Sequence, residues 1–185
     1  MKALHLYPTT DVDDLAWPDE AEGLNLQSSA LNFFTDFKRV KPFVIESTLS
    51  ALEVKRLMEK ERVRLKFIVN EEGHFIGIIT ADELIDRKIV QKVSEGNRRE
   101  DIPLTELMKP KSTLKALDYE EVSHASIAQV IDTLKKNGAQ HCLVIDHHTH
   151  KIRGIFSASD ISRKLHLVLT IEESPSLAKI FSVAN

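Results

Sequence analysis

The sequence predicts an α/β protein made of two β-α-β-β-α repeats packed about a pseudo-twofold axis. Three observations lead there. The stretch "GIITADELI" at 77–85 returns as "GIFSASDIS" at 154–162, 77 positions later. Upstream, "ALEVKRLMEKERVRLKFIVN" (51–70) aligns without a gap to "IAQVIDTLKKNGAQHCLVID" (127–146), at a constant offset of 76. Within both copies the apolar spacing switches between helical and strand period in the same order. Solenoids need at least about three short repeats, so two long units suggest a face-to-face pair.

Each element has its own warrant. A lead-in, "LNFF" at Leu31 or "LTEL" at Leu104, precedes a first strand, "FVI" or "LKALD". The first helix follows, with a stripe of Leu52, Val54, Leu57 and Met58 in one copy and Ile127, Val130, Ile131 and Leu134 in the other. Asn137-Gly138 ends the second of these as a C-terminal cap. The strands "LKFIV" and "HCLVI" come next, then the polar turns "NEEGH" and "DHHTHK". The second turn is one residue longer, which is why the offset grows from 76 to 77. A short strand then enters the opening motif, and a closing helix is marked by Leu84, Ile85, Ile89, Val90 and Val93, or by Ile161, Leu165 and Val168.

The chain accordingly divides into an irregular acidic arm (1–30), a first repeat with its lead-in (31–96), a linker with the second repeat (97–170) and a C-terminal piece (171–185). Residues 1–22 hold six acids against one lysine, the composition of a solvated tail. In the last piece Ser174-Pro175 reads as a helix start, with Leu177, Ile180 and Phe181 on one face.

Composition excludes several classes. The 185 residues carry a net charge of −3, so there is no overall basic footprint for nucleic acid. A single cysteine, Cys142 in "HCLVI", rules out an intrachain disulfide and reads as a buried, inert thiol in a reducing compartment. The start "MKALHLYP" is too weak for a signal peptide, and no apolar run approaches the roughly 18 residues of a membrane span. A soluble cytoplasmic protein is expected. Dinucleotide, P-loop, nucleophile-elbow and H-E-x-x-H motifs are missing, so catalysis finds no support.

With both copies in view, the chain resembles the tandem cystathionine-beta-synthase-type (CBS) domain pair, or Bateman module, over residues 31–170. The helix "ALEVKRLM" or "IAQVIDTL", the strand and turn "FIVNEEG" or "LVIDHHTH", and "GIIT" or "GIFS" carry the likeness. The family pattern then runs Gly, two apolar residues, Thr or Ser, two variable residues, and Asp. Copy two fits it with Gly154, Ser157 and Asp160, whereas copy one has Gly77 and Thr80 but Glu83 at the acidic place. The resemblance implies a regulatory module that binds an adenosine-containing ligand (AMP, ADP or ATP) between the repeats, needs no cofactor, forms a homodimer and controls a partner outside this chain. Apolar helix faces such as Leu84, Ile85 and Ile89 are expected to be covered in that dimer. A ligand-free interaction scaffold and an undetected nucleotide hydrolase are the alternatives.

The site residues have two readings each. A helix N-terminus with Ser157 or Thr80 suits a phosphate, and an acid three residues on can accept ribose hydroxyls. The same Ser/Thr-x-x-acid pattern is also a capping box. Glu83 has the longer arm that the box prefers, while Asp160 matches the family's ribose acceptor, so copy two is the favoured nucleotide site; Asp82 is a substitute acid in copy one. His141 and Arg64, at the start of the middle strands, face either a ligand phosphate or solvent, as do Lys111 and Ser112 at the entry to the second unit. His147, His148 and His150 share one turn, but the four ligands of a structural zinc site are not completed in sequence. They read as a polar hairpin tip.

Overall fold

The computed structural model describes residues 23–96, 98–169 and 171. The acidic run at 1–22 and the helix expected around 174–181 lie outside the described residues. In chain order the elements are β1 (Thr35–Asp36), β2 (Val44–Glu46), α1 (Ala51–Glu61), β3 (Leu65–Val69), β4 (Phe75–Thr80), α2 (Asp86–Ser94), β5 (Lys109–Pro110), β6 (Ala116–Asp118), α3 (Tyr119–Ser123), α4 (Ile127–Lys136), β7 (His141–Asp146), β8 (Lys151–Ser157) and α5 (Ala158–Leu165). They form two four-stranded sheets, ordered β2-β3-β4-β5 and β1-β8-β7-β6. The mixed α/β architecture of two similar units is the one the sequence predicts.

Strand alternation divides the core into three layers. Ile68 and Ile79 point to one side of the first sheet and join Ala51, Val54 and Met58 of α1. Val144 and Phe156 do the same in the second sheet with Ile127, Val130 and Leu134 of α4. Their strand neighbours Phe67, Ile78, Leu143 and Ile155 point the other way and meet between the sheets. These four are two cross-strand pairs, Phe67 with Ile78 and Leu143 with Ile155, so the same register supplies both halves of the interface. Both β-hairpins also shift register at equivalent places, after Ile68 and after Val144.

The lead-ins are exchanged between the units. Ala30 and Phe33 are buried in the core of the second unit, and Ala30 N–H donates to Ala125 O at 2.9 Å. β1 then pairs with β8. Reciprocally, Ile102, Leu104 and Leu107 fill the core of the first unit, Ala51 N–H donates to Ile102 O at 2.9 Å, and β5 pairs with β4. The boundaries 31–96 and 97–170 therefore divide the chain by sequence order; in space each lead-in completes the unit it does not precede. This explains the glycine of the repeated motif. A Cβ on Gly77 would press on the Lys109 carbonyl of β5, and one on Gly154 would strike the Thr35 carbonyl of β1 and the Phe34 ring. Only glycine admits the fourth strand so closely.

At α2 and α3 the structure departs from the sequence reading. α2 begins at Asp86, so Leu84 sits buried in the preceding turn and Ile85 is the N-cap. Of the three residues expected on an open apolar face, Leu84 and Ile89 are buried and Ile85 is exposed; the exposed apolar residues there are Ile85, Val90 and Val93. The short helix α3 is an addition to copy two, with Glu120 and Glu121 in its first turn and Val122 buried beneath. Asn137-Gly138 does end α4, with Gly138 at φ 56°.

Candidate functional site: the cleft between the repeats

A cleft of about 490 Å³ opens between the two units, within the range of small-molecule sites. Its second-unit wall runs from Thr113 to Leu117, across the end of α4 at Asn137 to Ala139, and along the start of β7 at His141 to Leu143. The first unit contributes Ile78, Thr80 and Asp82 from the end of β4, with Lys109 from β5. Ile78 and Leu143 belong to the inter-sheet core, so the floor is apolar while the rim is polar.

The Thr-x-x-Glu turn of copy one is closed on itself. Thr80 N–H donates to Glu83 Oε2 at 3.2 Å, and the Thr80 hydroxyl donates to the same oxygen. Glu83 is buried and flanked by the ammonium groups of Lys109 at 3.2 Å and Lys88 at 3.7 Å. Burial works to raise its carboxyl, but the Thr80 hydrogen bond and Lys109 outweigh it and hold the group below its ordinary value. The box thus caps the turn ahead of α2 rather than the helix itself. Asp82, one residue earlier, keeps an exposed carboxylate on the cleft, paired to Arg64 at 3.4 Å. Such an exposed pair exchanges readily for another partner.

The turn of copy two is arranged differently. Ser157 bonds to the Ser159 hydroxyl at 2.8 Å and makes no cap contact. Asp160 reaches forward to Arg163 at 2.7 Å. Neither residue lines the cleft described above. The strand registers put Ser157 at the position of Thr80, and Val44 at that of Ala116. By that register the Ser157–Asp160 turn is the second-unit counterpart of the Thr80–Glu83 turn.

His141 lies between the two turns. Burial, Lys109 and Arg64 push its imidazole down against the opposing pull of Asp160 and Asp82, so near pH 7 it is neutral, with one donor and one acceptor nitrogen. Burial raises the neighbouring Cys142 thiol, as expected of an inert cysteine. Lys111 and Ser112 sit on a 3-10 turn; Lys111 faces a different cavity, near the hairpin tips, and Ser112 is exposed. His147, His148 and His150 are exposed on the β7–β8 turn, which Asp146 shapes by accepting from His148 and Thr149 N–H at 3.0 and 3.2 Å. Lys109 and Asn137 are cleft residues that the sequence reading missed. The first comes from the exchanged linker, so nothing local marks it.

A CBS domain model matches residues 35–89 and 122–167, more than half of the chain. The chain belongs to the CBS domain family. Among solved structures it is similar to an uncharacterized conserved protein from Pyrococcus horikoshii, with 20% identity over 80% of this chain and 98% of that one, TM-score 0.57. It is similar to a CBS domain pair in complex with 5′-methylthioadenosine and S-adenosyl-L-methionine (18% identity, 74% of this chain, 98% of that one, TM-score 0.51). The protein CBSX2 in complex with AMP also matches (15% identity, 74% and 94%, TM-score 0.53). At these identities the likeness shows the fold. No curated protein matches the chain. Among the described residues, no helix of this CBS pair is long and apolar enough to cross a membrane.

Proposed function

We propose that this CBS pair is a cytoplasmic, non-catalytic regulatory module that binds an adenine nucleotide between its repeats and passes the occupancy to a partner protein. The carrying observation is the 490 Å³ cleft, in which one unit supplies Thr80, Asp82 and Lys109 and the other supplies His141. That set suits a nucleotide: an apolar floor for the base, an exposed carboxylate for ribose hydroxyls, and a cation beside a neutral imidazole for phosphate. The complexes of two similar folds with adenosine compounds support the class of ligand. Asp160 is the stronger ribose acceptor by motif. Geometry favours Asp82, because it lines the 490 Å³ cleft and Glu83 is already engaged by Thr80 and Lys109. Because both units line one cavity, a ligand there changes how they sit against each other. Exposed Ile85, Val90 and Val93 form the face on which a second copy docks. Mass spectrometry of small molecules released from purified protein tests the reading: AMP, ADP or ATP is expected, and a non-adenine ligand at full occupancy overturns it.

A further inference from the structure

A second cavity, of about 1010 Å³, lies at the other end of the strands, between the tips of the two β-hairpins. Its floor is apolar, formed by Phe75, Leu114, Leu143 and Ile152. Its rim carries three lysines, Lys111, Lys115 and Lys151, none of which forms an ion pair with another described residue. The rim histidines His74, His147 and His150 add donors, two of them with acids beyond the lining: His74 with Glu72 at 3.2 Å and His147 with Asp118 at 4.0 Å. Among the described residues one carboxylate lines the cavity, that of Asp146, and its Oδ1 already accepts two backbone N–H groups. Positive charge thus converges on an apolar hollow in a chain whose net charge is −3.

Unpaired ammonium groups that ring a low-dielectric surface focus a positive potential into it. Ordinary surface lysines are dispersed among acids; here three converge, and they come from the linker (Lys111, Lys115) and from β8 (Lys151). We infer that this hollow is a second binding site, for a small amphipathic anion: an apolar body carrying a phosphate, sulfate or carboxylate group. The apolar part lies on Phe75 and Ile152, and the anionic group meets Lys111 and Lys151 at the rim. The site is separate from the nucleotide cleft, since Thr80, Asp82, Lys109 and His141 line only the latter. The two cavities share Leu114, Lys115, Ala116 and Leu143, so an occupant of one rests on the wall of the other.

Amide NMR of the full chain tests this with phenyl phosphate, inorganic phosphate and phenol as probes, and with AMP as a separate titrant. Phenyl phosphate is expected to shift His74, Phe75, Leu114 and Ile152, and to bind more tightly than inorganic phosphate or phenol, which each lack half of the recognised chemistry. Lys111→Glu with Lys151→Glu is expected to weaken it about tenfold, while AMP still shifts Thr80 and Asp82 as before. Unchanged spectra away from the hairpin tips establish that the variant is folded. Phenyl phosphate that leaves the hairpin residues unmoved, or binds the double variant as it binds wild type, overturns the inference. Loss of AMP shifts with the hairpin site intact counts against the nucleotide reading alone.

Discussion

Asp36 lies at the start of the first repeat in sequence, yet its carboxylate is held by Arg153 of the second through two bonds of 2.8 Å. The guanidinium also stacks 4.3 Å from the Tyr119 ring centre, so one residue ties the lead-in to β8 and α3. The Arg153 hydrogen bond is the main reason the Asp36 carboxyl is lowered to about 2 from 3.8. A depressed folded value means that the stabilisation is complete above 3.8 and is lost as pH falls through about 2. Asp36→Asn is expected to cost about 1–2 kcal/mol at neutral pH and much less near the acid limit. Urea unfolding at both pH values checks this; an equal cost at both would show that the ion pair contributes nothing. Legibility at this scale is uneven. Thr80 and Glu83 were readable as a capping box because the chemistry is local. Which element the box caps was not readable, since Glu83 is anchored by Lys109 from a segment 26 residues away.

At the scale of elements, both β-α-β-β-α units were legible because their periods repeat. The exchange of lead-ins was not. Apolar "LNFF" and "LTEL" advertise burial without saying in which core, and chain proximity favours the wrong one. α3 escaped for a related reason: five residues are too few for a period. The exchange makes an unusual mutational prediction. Phe33→Ala is expected to cost about 3–5 kcal/mol and to loosen the second unit, although Phe33 precedes the first. Hydrogen exchange should show faster amides in α4 with α1 little changed, and Leu104→Ala should do the reverse. If Phe33→Ala speeds exchange in α1 and spares α4, the core assignment is wrong.

For the whole molecule, Ile85, Val90 and Val93 leave apolar surface on one side of the first unit. Docking of a second copy there predicts a light-scattering mass of twice the 21.0 kDa chain, and Val90→Lys with Val93→Lys should restore the single-chain mass. A wild-type protein that stays at 21.0 kDa at tens of micromolar would remove that proposal. Nucleotide binding in the cleft is tested by calorimetric titration with AMP of wild type, Asp82→Ala and Asp160→Ala. Binding is predicted for wild type, weakened roughly tenfold or more by Asp82→Ala through loss of hydrogen bonds to a charged group. Asp160→Ala should stay within about twofold, because its carboxylate lies outside the cleft. No heat with AMP, ADP or ATP, or a loss confined to Asp160→Ala, would show that the cleft at Asp82 is not the nucleotide site.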